Sequence, residues 1–227
     1  FFPKYSGLVI FSLYVLGLLM AIVSGAIFKR TLFRGETAPF VLELPPYRMP
    51  TVKNVVLHVW ERVRGFLTKA GTLILAMSIV LWFLRSFDGN LAMTADASMS
   101  LLGRFGVLLA PFFAPLGFGK WQAAVALLTG VIAKEAVVSS LALFYGFSTL
   151  EGAVSIRAAL ASTFTPLSAY AFLVFVLLYV PCVAALATIR REMNSRKWTL
   201  ISVGWQLLVA YTVSLVVYQG GRLLGLG

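Results

Sequence analysis

Two residue types that build disulfides and metal centres are nearly missing: the 227-residue chain has one cysteine, Cys182, and one histidine, His58. A single cysteine excludes an internal disulfide, and no Cys/His cluster occurs at metal-ligand spacing. Charge is scarce as well. Charged residues make up 12% of the chain and hydrophobic residues 60%, whereas a soluble domain carries about 25% charged residues. The patterns GxxxxGK[ST], GxGxxG and GxSxG do not occur. That excludes a phosphate loop, a dinucleotide fingerprint and a nucleophile elbow, and nothing supports a hydrolase. No low-complexity tract or internal repeat stands out.

Long apolar runs are present instead. Gly7–Phe28, Gly65–Leu84, a stretch within Ala158–Ile189, and Trp198–Gly221 each reach the ~20 residues that cross a hydrocarbon core. Only Lys69 interrupts the second run, near its start, where its long side chain can snorkel. The composition therefore predicts an all-α, polytopic transmembrane helical bundle in contact with the lipid bilayer.

The net charge of +11 does not indicate nucleic acid, because the basic residues cluster between apolar runs and form no face with interleaved aromatics. Eight lie between Lys29 and Lys69, and four more (Arg190, Arg191, Arg196, Lys197) follow Ile189. The link from Arg85 to Arg104 holds only those two, alongside Asp88 and Asp96. By the positive-inside rule the first two links are cytoplasmic and the third external. The chain opens FFPKYS, with no initiator Met and no charged n-region, so it is expected to belong to a longer polypeptide. A cleaved signal peptide is not expected.

After the first span, three prolines in ELPPYRMP (Glu43–Pro50) prevent that stretch from being helical throughout. Val52, Val55, Val56, Val59, Trp60 and Val63 then recur at three- and four-residue spacing, opposite Lys53, Glu61, Arg62 and Arg64. This predicts an amphipathic helix at the cytoplasmic interface, leading into Gly65–Leu84. His58 lies on it as an interfacial residue. Between Arg104 and Lys120 the apolar stretch is short and carries Pro111 and Pro115, which suits a re-entrant or kinked helix better than a clean span. With Arg85 outside and Arg190 inside, the chain crosses an even number of times in between. Gly106–Gly119 and Gln122–Tyr145 are therefore either a pair of crossings or re-entrant elements. The terminal span is expected at about Leu200–Tyr218.

Lys134 and Glu135 stand alone in the uncharged stretch from Trp121 to Leu150. Two ionisable groups near the bilayer centre cost roughly 2.5–3.5 kcal/mol each on insertion scales, so they are kept where they face a bundle interior or a water-filled path. Adjacent residues of a helix diverge by about 100°, so the pair is expected to serve different partners. Small residues around it (Ala123, Ala124, Ala126, Gly130, Ala133, Ala136, Ser139, Ser140) permit close helix approach, or a broken helix whose carbonyls line a cavity. Two readings stand: a buried ion pair with another helix, or a cation-binding carboxylate neutralised by its lysine when empty.

Cys182 follows Pro181, which removes an intrahelical hydrogen bond and exposes the carbonyl near Leu177 beside the thiol. A lone membrane cysteine is usually a packing residue. Combined with Glu135, a thiolate suits a divalent transition metal better than sodium or a nucleoside.

ELPPYRMPT (Glu43–Thr51), GTLILAMSIVLWFL (Gly71–Leu84), AKEAVVSSLALFYG (Ala133–Gly146) and YVPCVAALATIRRE (Tyr179–Glu192) together resemble the FeoB-type ferrous iron transporters of prokaryotes, in the same order and over nearly the whole chain. The resemblance implies a fragment: residues 1–65 as the end of the membrane core, 66–192 as the second Gate repeat, and 193–227 as the terminal transmembrane helix. It implies multi-pass placement in the cell inner (cytoplasmic) membrane and Fe²⁺ as the transported ion. No cofactor is expected in this chain; GTP and Mg²⁺ would belong to a GTPase domain in the missing N-terminal half. Implied partners are that half, Fe²⁺ and further copies of the protein, with no nucleic acid, and the chain is a transporter part rather than an enzyme. Cys182 and Glu135 would be transient Fe²⁺ ligands, Lys134 an electrostatic gate, and Ser139 and Ser140 minor pathway oxygens. Many members have Gly before the lysine; with Ala133 here, a sharp backbone break at that point is less expected. Gate repeats also occur in permeases for nucleoside-like solutes, and a non-transporting scaffold is the remaining alternative.

Overall fold

The computed structural model describes residues 5–32, 49–94, 96–144, 160 and 164–225. The ELPPYR part of the proline-rich stretch, and Tyr145 onward to the segment before Phe164 apart from Leu160, lie outside the described residues. Helix α1 (Ser6–Thr31) contains the first predicted span. Helix α2 (Val52–Ser86) joins the amphipathic stretch to the second predicted span in one uninterrupted helix of 35 residues. No proline falls in it, and the helix tolerates Gly65 and Gly71. At 1.5 Å per residue it is about 52 Å long, against a hydrocarbon core of ~30 Å, so part of it lies beyond the apolar layer if it stands upright.

The predicted external link, residues 87–100, holds isolated antiparallel bridges between Phe87 and Met93 and between Asp88 and Ser100. Asp88 Oδ1 accepts from the backbone N–H of Asn90 at 2.8 Å and Ala92 at 3.0 Å, which fixes a local turn. Ser100 then caps α3 (Leu101–Phe113), accepting from the Gly103 N–H at 3.1 Å.

The short, proline-bearing segment is a bent pair, as its length predicted. Helix α3 runs into a 3₁₀ turn at Ala114–Leu116, and α4 (Trp121–Ile132) departs at 102° to it. With 13 and 12 residues, each is only about 20 Å long, too short to cross alone. Gly117 makes the corner with φ of +85°, in the left-handed region, and a Cβ there would collide with the Tyr218 ring. Helix α5 (Glu135–Phe144) follows α4 after a break.

The third predicted span is also broken. Thr165 caps α6 (Pro166–Leu178), with proline at the first helical position. Residues 179–182 are non-helical, and α7 (Val183–Met193) continues to Asn194, whose φ of +45° ends it. The terminal helix α8 (Arg196–Leu223) contains the fourth predicted span. By length and composition, α1, the combined Pro166–Met193 unit and α8 can each cross a membrane.

The core gathers where the corner of the bent pair meets α6 and α8. Phe118, 2% exposed, stands edge-on to Phe172 and Phe175 and stacks on Phe113 at 5.7 Å between centroids. The sharp turn leaves carbonyls without helical partners, and side chains of α8 supply donors. Gln219 Nε2 donates to Pro115 O at 2.8 Å, and Tyr211 Oη donates to Phe112 O at 3.3 Å. Deeper down, Ser214 Oγ donates to Ala171 O of α6 at 2.8 Å. In contrast, α1 presents no fully buried residue, leaving its apolar surface open to lipid or protein.

Replacing Phe118 with Ala should cost about 3–5 kcal/mol, read as a lower melting midpoint in detergent. An unchanged midpoint would contradict its place at the centre of the core.

Candidate functional site

Both helix breaks fall at sequence features singled out above, and the structure brings them together. After α4, Ala133 takes an extended conformation (φ −146°, ψ 121°), Lys134 occupies a turn, and Glu135 opens α5. Glycine is unnecessary for such a break, because extended backbone is open to any L-residue. The absence of the family's glycine therefore does not prevent a sharp break. The break thus puts Lys134 in the turn and Glu135 at the first position of α5.

At the second break, α6 ends with its last carbonyls free, as the final turn of any helix does. Tyr179 N–H returns to Phe175 O at 2.9 Å. The next two carbonyls receive an ammonium: Lys134 Nζ donates to Val176 O at 3.1 Å and to Leu177 O at 3.4 Å. The residue one turn beyond Leu177 is Pro181, which has no N–H to offer. The carbonyl that Pro181 was expected to expose is thus one of the two that the lysine reaches. A cation at a helix C-terminus also lies at the favourable end of the helix dipole.

Tyr179 completes the arrangement. Its ring lies under the ammonium, 5.0 Å from Nζ to centroid, within cation–π range. The ring stacks on Phe175 at 5.6 Å, and its hydroxyl points to Leu127 O of α4 at 3.5 Å. Only 4% of Tyr179 is exposed. Gly130 provides the room, since a Cβ there would run into the Tyr179 hydroxyl and Val137. Sequence reasoning quoted Tyr179 within a motif without giving it a role; an aromatic two residues ahead of Pro181–Cys182 was the available signal.

Cys182 is a half-buried free thiol at the N-cap position of α7, close enough to both Lys134 and Tyr179 for electrostatic interaction. The side chain of Glu135 lies outside the described residues, so its predicted pairing with Cys182 rests on the backbone position alone. Ser140 is half-buried and its Oγ is 2.9 Å from Thr129 Oγ1, which joins α5 to α4 across the break; Ser139 is exposed. Thr129, buried and also bonded to Ala126 O at 2.8 Å, is a second residue that sequence reasoning missed. Among the described residues, no group of three or more His, Cys, Asp and Glu gathers to hold a metal ion. His58 is exposed on α2, 3.8 Å from Glu61, a surface pair of little energetic weight.

Beside the lysine opens a cavity of about 290 Å³, bounded by Lys134, Val137, Leu141, Phe164, Phe172 and Val176 among others. Its described walls are apolar apart from that ammonium.

The break between α4 and α5 is thus bonded to the break inside Pro166–Met193, a unit long and apolar enough to cross a membrane, and together they define a helical membrane domain built around broken helices. Two family models match the chain: Ferrous iron transport protein B C terminus over residues 10–62, and Nucleoside recognition (Gate) over residues 67–196. The chain is 41% identical over 223 residues to the Fe(2+) transporter FeoB of Staphylococcus aureus (strain COL), covering 98% of this chain and 33% of the relative. It is 39% identical over 233 residues to the Fe(2+) transporter FeoB of Methanocaldococcus jannaschii, with coverage of 98% and 34%. A third relative, the Fe(2+) transporter FeoB of Salmonella paratyphi A, is 34% identical over 269 residues, with coverage of 96% and 35%. No solved structure matches. The chain belongs to the FeoB family, of which it carries the C-terminal and Gate domains, and it is part of an integral membrane protein. It spans about a third of the length of these curated relatives.

If the Thr129–Ser140 bond ties α4 to α5, Thr129→Val and Ser140→Ala should each cost about 0.5–1.5 kcal/mol. The double variant should cost little more than either, measured by denaturation in detergent. Fully additive losses would rule the bond out as a stabilising tie.

Proposed function

We propose that this chain is the C-terminal membrane part of a ferrous iron permease, forming one wall of a path that takes Fe²⁺ into the cytoplasm. The observation that carries this reading is the meeting of two intramembrane helix breaks, one bearing Lys134–Glu135 and the other Tyr179–Pro181–Cys182. Irregular backbone at membrane depth is retained where it lines a path or is buried in protein. Glu135 and Cys182 are the proposed transient ligands, supplying carboxylate oxygen and thiolate sulfur to a borderline divalent ion. A small ligand set suits a permease, whose ion must leave as readily as it enters. Lys134 is the proposed electrostatic gate, with Ser139 and Ser140 as minor path oxygens.

The remaining assignments follow from the family. Residues 1–65 complete a membrane core, 66–192 form a second Gate-type repeat, and 193–227 form the terminal transmembrane helix. A GTPase domain in an N-terminal half, with GTP and Mg²⁺, would drive transport; this chain would hold no cofactor and catalyse nothing itself. The location is the cell inner membrane, the partners being lipid, the N-terminal half and other copies of the protein, and not nucleic acid.

A nucleoside-like cargo is the competing reading, favoured by the description of the Gate model. The described walls of the cavity beside Lys134 weigh against it, because among the described residues an apolar lining with one ammonium offers few partners to a ribose and a base.

In the full-length protein, Cys182→Ser and Glu135→Gln should each lower Fe²⁺ uptake by about tenfold or more, the effect of losing about 1.4 kcal/mol of ion stabilisation, with membrane insertion and folding retained. Wild-type uptake in both variants would overturn the ligand assignment and favour a scaffold. Uptake abolished by excess nucleoside would favour the competing cargo.

A further inference from the structure

Lys134 is held by groups that recognise cations in general. Two carbonyl oxygens, Val176 O and Leu177 O, accept its protons at 3.1 and 3.4 Å, and the face of Tyr179 lies below it at 5.0 Å. Carbonyl oxygens at an unwound helix end and an aromatic face are the means by which membrane proteins hold permeating or organic cations. Here a cation is already in place, tethered to the chain at the other break.

We infer that Lys134 is a tethered resident cation that latches the two helix breaks together, and that an entering metal ion must displace its ammonium to open the path past Cys182. This rests on the permease reading above. The latch connects three elements. Its base is the turn between α4 and α5, its catch is the C-terminus of α6, and Tyr179 fixes the catch to α4 through Leu127 O. Cys182, three residues beyond Tyr179, opens α7 on the far side of the same break.

The chemistry makes the latch reversible. In an apolar surrounding, the Val176 and Leu177 carbonyls are costly to leave bare, so the lysine stays while nothing else serves them. A divalent ion approaching Cys182 repels the ammonium and can itself satisfy carbonyl oxygen. Withdrawal of the lysine then comes at little net cost, and a flexible four-carbon stem allows it. Without such an ion the carbonyls keep their lysine, and the two breaks flanking the half-buried thiol stay latched. A purely structural cap would use the same hydrogen bonds, but its removal would destabilise the fold without selectively opening the thiol.

The test is the rate at which a small maleimide modifies Cys182 in the full-length protein in proteoliposomes without metal, quantified by mass spectrometry on the Cys182 peptide. Lys134→Met should speed labelling about tenfold or more, the factor matching about 1.4 kcal/mol of lost latch stability. Lys134→Arg, which keeps a cation for the same carbonyls, should restore slow labelling. Tyr179→Leu, which removes the ring and leaves the lysine, should give a smaller acceleration. It also decides the matter should Lys134→Met fail to fold. Wild-type labelling rates in folded Lys134→Met, or in Tyr179→Leu where that variant decides, would overturn the latch. So would equally fast labelling in Lys134→Met and Lys134→Arg. The readout needs no iron, so loss of uptake in Cys182→Ser with unchanged labelling in Lys134→Met would reject the latch and leave the permease reading standing. Fast labelling in Lys134→Met with wild-type uptake in Cys182→Ser would keep the lysine as a latch between the breaks and reject Cys182 as an ion ligand.

Discussion

Helix α6 ends with carbonyls that the residues following it do not serve, and the ammonium of Lys134 serves them. This interaction organises the site. Pro181 withholds the N–H that Leu177 O would have met in a continuing helix, and the nearest strong donor comes from the other broken span. A half-buried lysine in a membrane segment is costly unless its charge is matched. Here it is matched by helix-end dipoles and an aromatic face, without a carboxylate among its described partners. Each anomaly removes the cost of the other.

The same constraint recurs through the bundle. Where α3 turns sharply into α4, Gln219 and Tyr211 of α8 donate to Pro115 O and Phe112 O. Where α4 breaks before α5, Thr129 and Ser140 join across the gap. In a 60% hydrophobic chain, several of the described polar side chains thus stand where backbone leaves the helix. The aromatic cluster around Phe118 excludes water from the corner, and the polar contacts keep the unwound backbone tolerable there. That division of labour allows short helices to exist at depth and brings the two breaks side by side.

Much of this was legible in the sequence, for physical reasons. Spans α1 and α8 followed from uncharged runs, and the kinked end of α3 from a run too short and too rich in proline to cross. The exposed Leu177 carbonyl followed from the chemistry of Pro181. What was not legible depends on tertiary contact. Ala133 carries no mark of a break, because extended conformation at an alanine is imposed by its neighbours and not by its own preference. Tyr179 became important only when the fold put its ring under Lys134. Thr129 and Ser140 are eleven residues apart, a spacing that matches one face of a continuous helix, so only the break explains their pairing. The continuity of α2 was equally hidden, since an amphipathic pattern changing to an all-apolar one reads alike whether or not the helix bends.

The most direct measurement is a double-mutant cycle between Lys134 and Pro181 in the full-length protein, read by unfolding in detergent. Pro181→Ala returns the N–H that a continued α6 would bring to Leu177 O, so the helix can extend and the carbonyl no longer depends on lysine. If the helix-end carbonyls are what hold Lys134, Lys134→Met should cost markedly less in the Pro181→Ala background, with a coupling of about 1 kcal/mol or more. Additive losses, with Lys134→Met equally damaging in both backgrounds, would show that the lysine is held by something other than the broken end of α6.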